Sequence, residues 1–473
     1  MNYKSIAGNM ATAFLAQGVS FLASFAMSLL VPKVLGVTTY GYWQLFVFYT
    51  SYSGFFLLGL NDGVYLVEGG NRRDEIDKRG VNSQFWAGAV FQGVIGATIA
   101  VVTVIMAPEP NRAFVLFAFA LYTIVSNLSG YLGYVFQAMN ETKLFSYSTM
   151  IERFVFLVAI VVMVLLRVPV FEPYVITYLL AKVCNLAYCC FHARDFFSSG
   201  ILRASESVRL CLGSIKVGIA LMFSNVASML ILGVARVLVD NAWGIETFGR
   251  VSFSLSMVNF FITFVSQASM VLFPALRQGT EEERRSFYHG IRDMMEIAFP
   301  VVYLIYFPMA ALLSFWLPQY ADSMHFFAIL LPICVFDTKM DLCCTTYFKV
   351  LREERVLLCV NLAAMAGSLL LSLIGVYVIG SLDAVLFGAV LCVICRSLWS
   401  EGHLNRKLSV ATSAVPVEEV ALTIAFVALT LLVPDPIAIG VYAVLYGLYL
   451  ISNRKLTHKL LESAKSALAR RTR

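Results

Sequence analysis

Long apolar stretches follow one another along this chain, separated by short polar breaks. A helix needs roughly 20 apolar residues to cross bilayer hydrocarbon. Stretches of that kind lie near 10–32, 43–67, 84–107, 113–138, 146–166 and 174–191. A second set follows near 215–239, 250–274, 294–316, 325–349, 357–379 and 383–401, and two more near 417–433 and 437–452. Proline marks several joints, at Pro108, Pro110, Pro169, Pro173, Pro434 and Pro436. The alternating segments of about 10 residues that build a membrane β-barrel are absent. The pattern predicts an all-α polytopic membrane protein of about fourteen helices, the first being a retained helix rather than a signal peptide.

The chain repeats itself. Leu35-Gly36-Val37-Thr38-Thr39-Tyr40-Gly41 aligns without a gap on Trp243-Gly244-Ile245-Glu246-Thr247-Phe248-Gly249, an offset of 208 residues. A second anchor pairs Gln137–Lys143 with Lys349–Arg355 at an offset of 212. Internal repeats of multi-helix units are a mark of transporters, whose path runs between the halves. An even number of helices per half keeps both halves in one orientation, giving two parallel six-helix lobes and a C-terminal pair. The expected boundaries are 1–200, 201–410, 411–453 for the pair, and a basic amphipathic tail at 454–473.

Charge sets the orientation. With Met1 inside, one set of ends and loops holds 28 of the 35 basic residues, Lys4 and the groups beginning at Arg72, Lys143, Arg194, Arg277, Lys349, Arg396 and Arg454. The opposite loops hold only Lys33, Arg112, Arg167 and Arg250, which places both termini in the cytoplasm. Lys182, Arg236 and Lys339 remain, all inside apolar segments. The loop at 68–80 mixes signs and reads as a solvated turn.

Composition agrees with lipid as the solvent: 59% hydrophobic, 14% charged, mean hydropathy +0.79. The ten cysteines lack metal-ligand spacing and read as packing thiols. No phosphate-cradling glycine loop, nucleotide motif or catalytic triad is present, so neither an enzyme nor a nucleic-acid partner is expected.

Val31–Gly41, Gln137–Lys143, and Ser224-Asn225 with Arg236 in the seventh helix resemble the oligosaccharide-lipid flippase branch of the multidrug/oligosaccharidyl-lipid/polysaccharide exporter superfamily. The branch often has Asp-Arg at this point of its seventh helix; here Ala235 precedes Arg236, with Asp240 one turn on as a substitute. The resemblance implies a bacterial inner-membrane flippase with a V-shaped pair of lobes. It would carry undecaprenyl-diphosphate-linked oligosaccharide of a polysaccharide such as O-antigen or exopolysaccharide. It further implies alternating access, a monomer among membrane lipids, a polysaccharide polymerase and chain-length regulator as partners, and no cofactor other than a proton or Na⁺ gradient. A cation-coupled multidrug antiporter of the same superfamily is the alternative.

Moving a diphosphate past hydrocarbon requires fixed cations, because bare charge there is prohibitive. Arg offers a two-bond fork and Lys a point charge. Arg236 reads as a cavity cation, or as a snorkelling side chain paired with Asp240. Lys182 lies nearer mid-helix, and Lys339 is the third cation. Asn61 and Asp62 interrupt helix 2 between Gly59 and Gly63, as cavity lining or as a polar end. Glu152-Arg153 opens helix 5, as a local ion pair or with Arg153 meeting the diphosphate. Asp337 and Asp341 share one face of helix 10. They are candidates for ion coupling together with Asp240, or partners of Lys182 or Arg236. Tyr42, Trp43, Tyr49 and Tyr52 are candidates to stack on sugar rings.

Overall fold

In lipid a backbone must satisfy its own hydrogen bonds, and this chain does so with helices. The computed structural model describes residues 18–106, 108–278, 281–410, 415–454 and 456–458, and no strand occurs among them. Most of the basic tail and the first residues of the opening stretch lie outside the described residues.

The elements in order are α1 (Gly18–Val34) and α2, the latter in two pieces, Val37–Ser51 and Leu60–Val67. Then come α3 (Lys78–Met106), α4 (Pro110–Ala138), α5 (Thr142–Leu165) and α6 (Glu172–His192). A continuous helical stretch, Ala204–Gln278, breaks only at Gly244, where φ is 81°. It makes α7 (204–243) and α8 (245–278). Next come α9 (281–316, with a 3₁₀ turn at Phe299–Val301) and α10 (323–350, with a π-helical stretch at Met340–Thr345). The last are α11 (Glu354–Ile379), α12 (Leu382–Lys407), α13 (Val415–Leu432) and α14 (Asp435–Ser452). Among the described residues ten helices are long and apolar enough to cross a membrane, the 204–263 stretch among them as one helix.

Two compact units emerge: Met1–Gly233 with Trp243–Phe253, and Val234–Ala242 with Ser254–Arg473.

In the first unit, α2 breaks at Leu58 and Gly59, both left-handed, with φ of 53° and 83°. The carbonyls freed there find partners on buried side chains. Gln92 Nε2 donates to Phe56 O (3.0 Å), Asn127 Nδ2 to Ser53 O (3.0 Å), and Asn127 Nδ2 also to Gln92 Oε1 (2.8 Å). Beyond the break, Gly59 and Gly63 lie against Ser214 and Gly218 of α7. A Cβ on Gly63 would stand 1.9 Å from Ser214 O, and one on Gly218 would stand 2.1 Å from Gly59 O. Small residues four apart on both helices allow this backbone contact.

The two sequence anchors meet in the same unit: a Cβ on Gly249 would lie 3.0 Å from Gly41 Cα, and one on Gly41 would lie 2.5 Å from Ile245 O. The repeat also holds at the second anchor. Asn140 and Arg352 are both left-handed, with φ of 61° and 56°. Each cap closes with the same bond, Glu141 N to Phe136 O and Glu353 N to Phe348 O, both 2.8 Å.

The capped acids then anchor loops. Arg73 bonds Glu141 (2.7 Å) and Asp195 (2.8 Å) and donates to His192 O (3.0 Å). The 68–80 segment is therefore tied to the ends of α4 and α6 rather than being a solvated turn. Asp195 is held below the ordinary carboxylate range: partial burial opposes this, but Lys78 and Arg73 outweigh it.

In the second unit, Pro300 of α9 lacks an N–H and would leave the carbonyl of Glu296 unpaired. Tyrosines at helical spacing on α14 supply donors to this bend. Tyr449 Oη donates to Glu296 O (2.9 Å), Tyr446 Oη to Ile297 O (2.9 Å) and Tyr442 Oη to Pro300 O (3.1 Å).

Candidate functional site

Helix α5 starts at Thr142, so Glu152 and Arg153 sit about 15 Å along it rather than at its opening. Lys182 is at the middle of α6, ten residues from either end. The helices pack so that Lys182 Nζ lies 2.9 Å from Glu152 Oε2, to which Asn185 Nδ2 also donates at 2.7 Å. Arg153 hydrogen-bonds Tyr178 and lies in the field of Glu152. Two cations thus share one carboxylate in mid-helix, leaving one positive charge in excess.

An aromatic box surrounds them. The Tyr178 ring stands 4.8 Å from Phe156, 5.6 Å from Tyr122, 5.8 Å from Phe46 and 5.9 Å from Trp43, centroid to centroid. Trp43 is fully buried and Tyr42 stacks on Phe171 at 5.3 Å. Tyr52 Oη donates to Met229 O (3.1 Å), and Tyr49 faces Phe119 at 5.6 Å.

Asn61 is buried, with Nδ2 close to Gly130 of α4, and Asp62 is half-buried in the first turn after the α2 break. Both lie beside the glycine contact with α7.

In the second unit, Arg236 is half-buried and Asp240 buried, four residues apart on one face of α7. Asp337 pairs with Arg396 of α12, not with Lys182 or Arg236. Asp341 is exposed, one turn on. Lys339 points away from both acids into the unit's interior and is fully buried. Its Nζ lies 2.7 Å from Glu401 Oε2, 2.9 Å from Glu419 Oε2 and 3.5 Å from Glu296 Oε1. Arg292 joins from α9, 3.0 Å from Asp293 and 3.8 Å from Glu296.

Sequence reasoning missed Glu296, Glu401 and Glu419 and placed Arg292 and Arg396 in loops. The structure corrects this: α9 begins before its apolar run and carries Arg292, Arg396 lies within α12, and both arginines are 3% exposed. The signal available was positional. Each missed glutamate falls near the same expected membrane end of its helix, the end toward which Lys339 lies.

The structure of a lipid II flippase, MurJ, in an inward closed conformation superposes with a TM-score of 0.65 at 9% identity, covering 95% of this chain and 99% of that one. An inward-facing multidrug resistance MATE family transporter of the MOP superfamily gives 0.54 at 13% identity, covering 85% of this chain and 96% of that one. This chain shares its fold with these two solved structures. No family model matches the sequence, and no curated protein matches it. The helices long and apolar enough to cross a membrane among the described residues agree with the apolar pattern of the sequence.

Proposed function

We propose that this protein is a flippase for a lipid-linked oligosaccharide, moving an undecaprenyl-diphosphate-linked repeat unit from the cytoplasmic to the outer leaflet of a bacterial inner membrane. The observation that carries the reading is the Lys182–Glu152–Arg153 group in mid-helix, with its surplus positive charge and aromatic surround. Buried charge of this kind is costly in a membrane helix and marks a site of function. Glu152 acts as a resident anion that holds the two cations while no cargo is bound. An entering diphosphate replaces it on Lys182 Nζ and on the Arg153 fork, exchanging one anion for another without exposing bare charge. The aromatic faces offer stacking surfaces for sugar rings. Arg236, Asn61 and Asp62 serve as further polar groups on the path.

Two further observations support lipid-linked cargo. The lipid II flippase likeness extends over 95% of the chain, against 85% for the multidrug transporter. The additional span is of the size that α13 and α14 supply, and a lipid tail needs an apolar surface such as they present.

The test is a deletion strain complemented with wild type, Lys182→Ala or Arg153→Ala, each checked for membrane insertion. Loss of surface glycan with accumulation of lipid-linked repeat units on deletion, and no rescue by either variant, supports the reading. Intact surface glycan with altered drug sensitivity moves the cation-coupled antiporter to first place.

A further inference from the structure

The buried charges of the second unit do not balance. Around Lys339 stand Glu296, Glu401 and Glu419, none more than 2% exposed, while Arg292 is shared between Glu296 and Asp293. Counting His289, which reaches Asp293 at 2.7 Å from the surface, as protonated, four carboxyl groups face three cations. An uncompensated carboxylate in such a place costs several kcal/mol, on the order of the penalty for one buried unpaired ion. Among the described residues, the other polar neighbours have these partners. Asn405 on α12 engages Tyr288 and Arg292, and Glu418 on α13 bonds Asn453. Arg396 is committed to Asp337, and the Tyr449 hydroxyl to a carbonyl.

Geometry shows where the balancing charge belongs. The carboxyl groups of Glu296 and Glu401 both stand on Lys339 Nζ, at 3.5 and 2.7 Å, which brings them beside one another. Two carboxylates are both acceptors, so only a proton can join them. Glu296 Oε2, Glu401 Oε1 and Glu419 Oε1 are buried, and no donor among the described residues reaches them. No group of acidic, histidine or cysteine side chains arranged to hold a metal ion occurs among the described residues.

We propose that Glu296, Glu401 and Glu419, arranged about Lys339, form a proton-binding site inside the second unit, with one proton held between Glu296 and Glu401 in this conformation. Backbone irregularity adjoins the site on two sides. The π-helical stretch of α10 begins at Met340, directly after Lys339, and the 3₁₀ turn of α9 begins three residues after Glu296. Such segments have two hydrogen-bonding registers available and recur at functional sites. A change of register would move Lys339 relative to its three acids and release or recapture the proton. The site is distinct from Asp337, Asp341 and Asp240, the acids that sequence alone singles out. Its use in coupling rests on the transporter reading; its existence does not.

Infrared spectroscopy of the full-length protein in lipid nanodiscs reads the site directly, through the carbonyl stretch of a protonated carboxyl group at neutral pH and its shift in D₂O. Wild type is expected to show this band, Glu401→Gln and Glu296→Gln to lose it, and Asp341→Asn to retain it. Absence of the band in wild type, which needs no variant to fold, overturns the proposal. So does a band unchanged in both glutamine variants, or one abolished by Na⁺ at constant pH, which would make the site a sodium site. No cargo enters this measurement, so its failure leaves the flippase reading standing, and failure of glycan rescue leaves the proton site standing.

Discussion

Glu152 accepts from Lys182 and Asn185 through one oxygen and also faces Arg153. Glu152→Gln leaves both cations without their anion, and roughly 3 kcal/mol of stability is expected to go with it. Lys182→Ala leaves Arg153 to balance Glu152 and should cost less, about 1–2 kcal/mol. Thermal unfolding of the two variants in one detergent checks this; equal losses in both would contradict the charge count. At the end of α10, Glu353 accepts from Lys407 (2.9 Å) and His403 (3.0 Å). The Lys407 bond, opposed by slight desolvation and aided by His403, holds its carboxyl below the ordinary range. Stability from a depressed carboxyl is complete above the unfolded value, about 4.3 for Glu, and disappears as pH falls through the folded value. Glu353→Gln should therefore melt below wild type at neutral pH, with the difference closing in acid below that range. A difference that persists unchanged in acid contradicts the ionic account. Residue-level pairings of this kind were the least legible in the sequence. Arg292 stands just before an apolar run, and Arg396 and Glu401 stand in the last turns of another; all three read as loop or helix-end charge, and only tertiary packing shows that α9 and α12 carry them inside.

At the scale of elements, helices are held together here by backbone proximity and by donors aimed at broken turns. Gly63→Ala would push a methyl group into Ser214 O, and a loss of about 1–3 kcal/mol is expected, as for overpacking elsewhere. Gly213→Ala, one position from Ser214 and facing open space, serves as the control and should leave the melting temperature unchanged or higher. Equal effects of the two would argue against a close α2–α7 contact. Tyr449→Phe removes the donor to Glu296 O beside Pro300 and should cost about 1–3 kcal/mol, the penalty of an orphaned buried carbonyl. Tyr377→Phe, at an exposed position, should cost nothing measurable. Elements were the most legible part of the chain. Apolar length located the helices, and the Gly41 and Gly249 anchors mark copies whose backbones touch. The left-handed caps at Asn140 and Arg352 keep the offset of 212 between their sequence motifs. Asn61 and Asp62 marked an interruption of α2 that the structure places just before them, at Leu58 and Gly59, whereas nothing in the periodicity showed the π-helical stretch in α10.

The whole molecule is a repeated helical chain whose fold resembles the solved lipid II flippase and multidrug transporter structures, carrying two distinct buried charge groups in two compact units. One has a cation in excess and suits an anionic cargo; the other has acids in excess and suits a proton. The central claim is that the cargo is a lipid-linked oligosaccharide. The most direct test places purified protein in liposomes with a fluorescent undecaprenyl-diphosphate oligosaccharide in one leaflet and follows its accessibility to a membrane-impermeant quencher. The account predicts that wild type brings the lipid to the opposite leaflet and that Lys182→Ala, inserted to the same level, does not. No transfer by wild type under either direction of a proton gradient, alongside uptake of cationic drugs by the same liposomes, would contradict it.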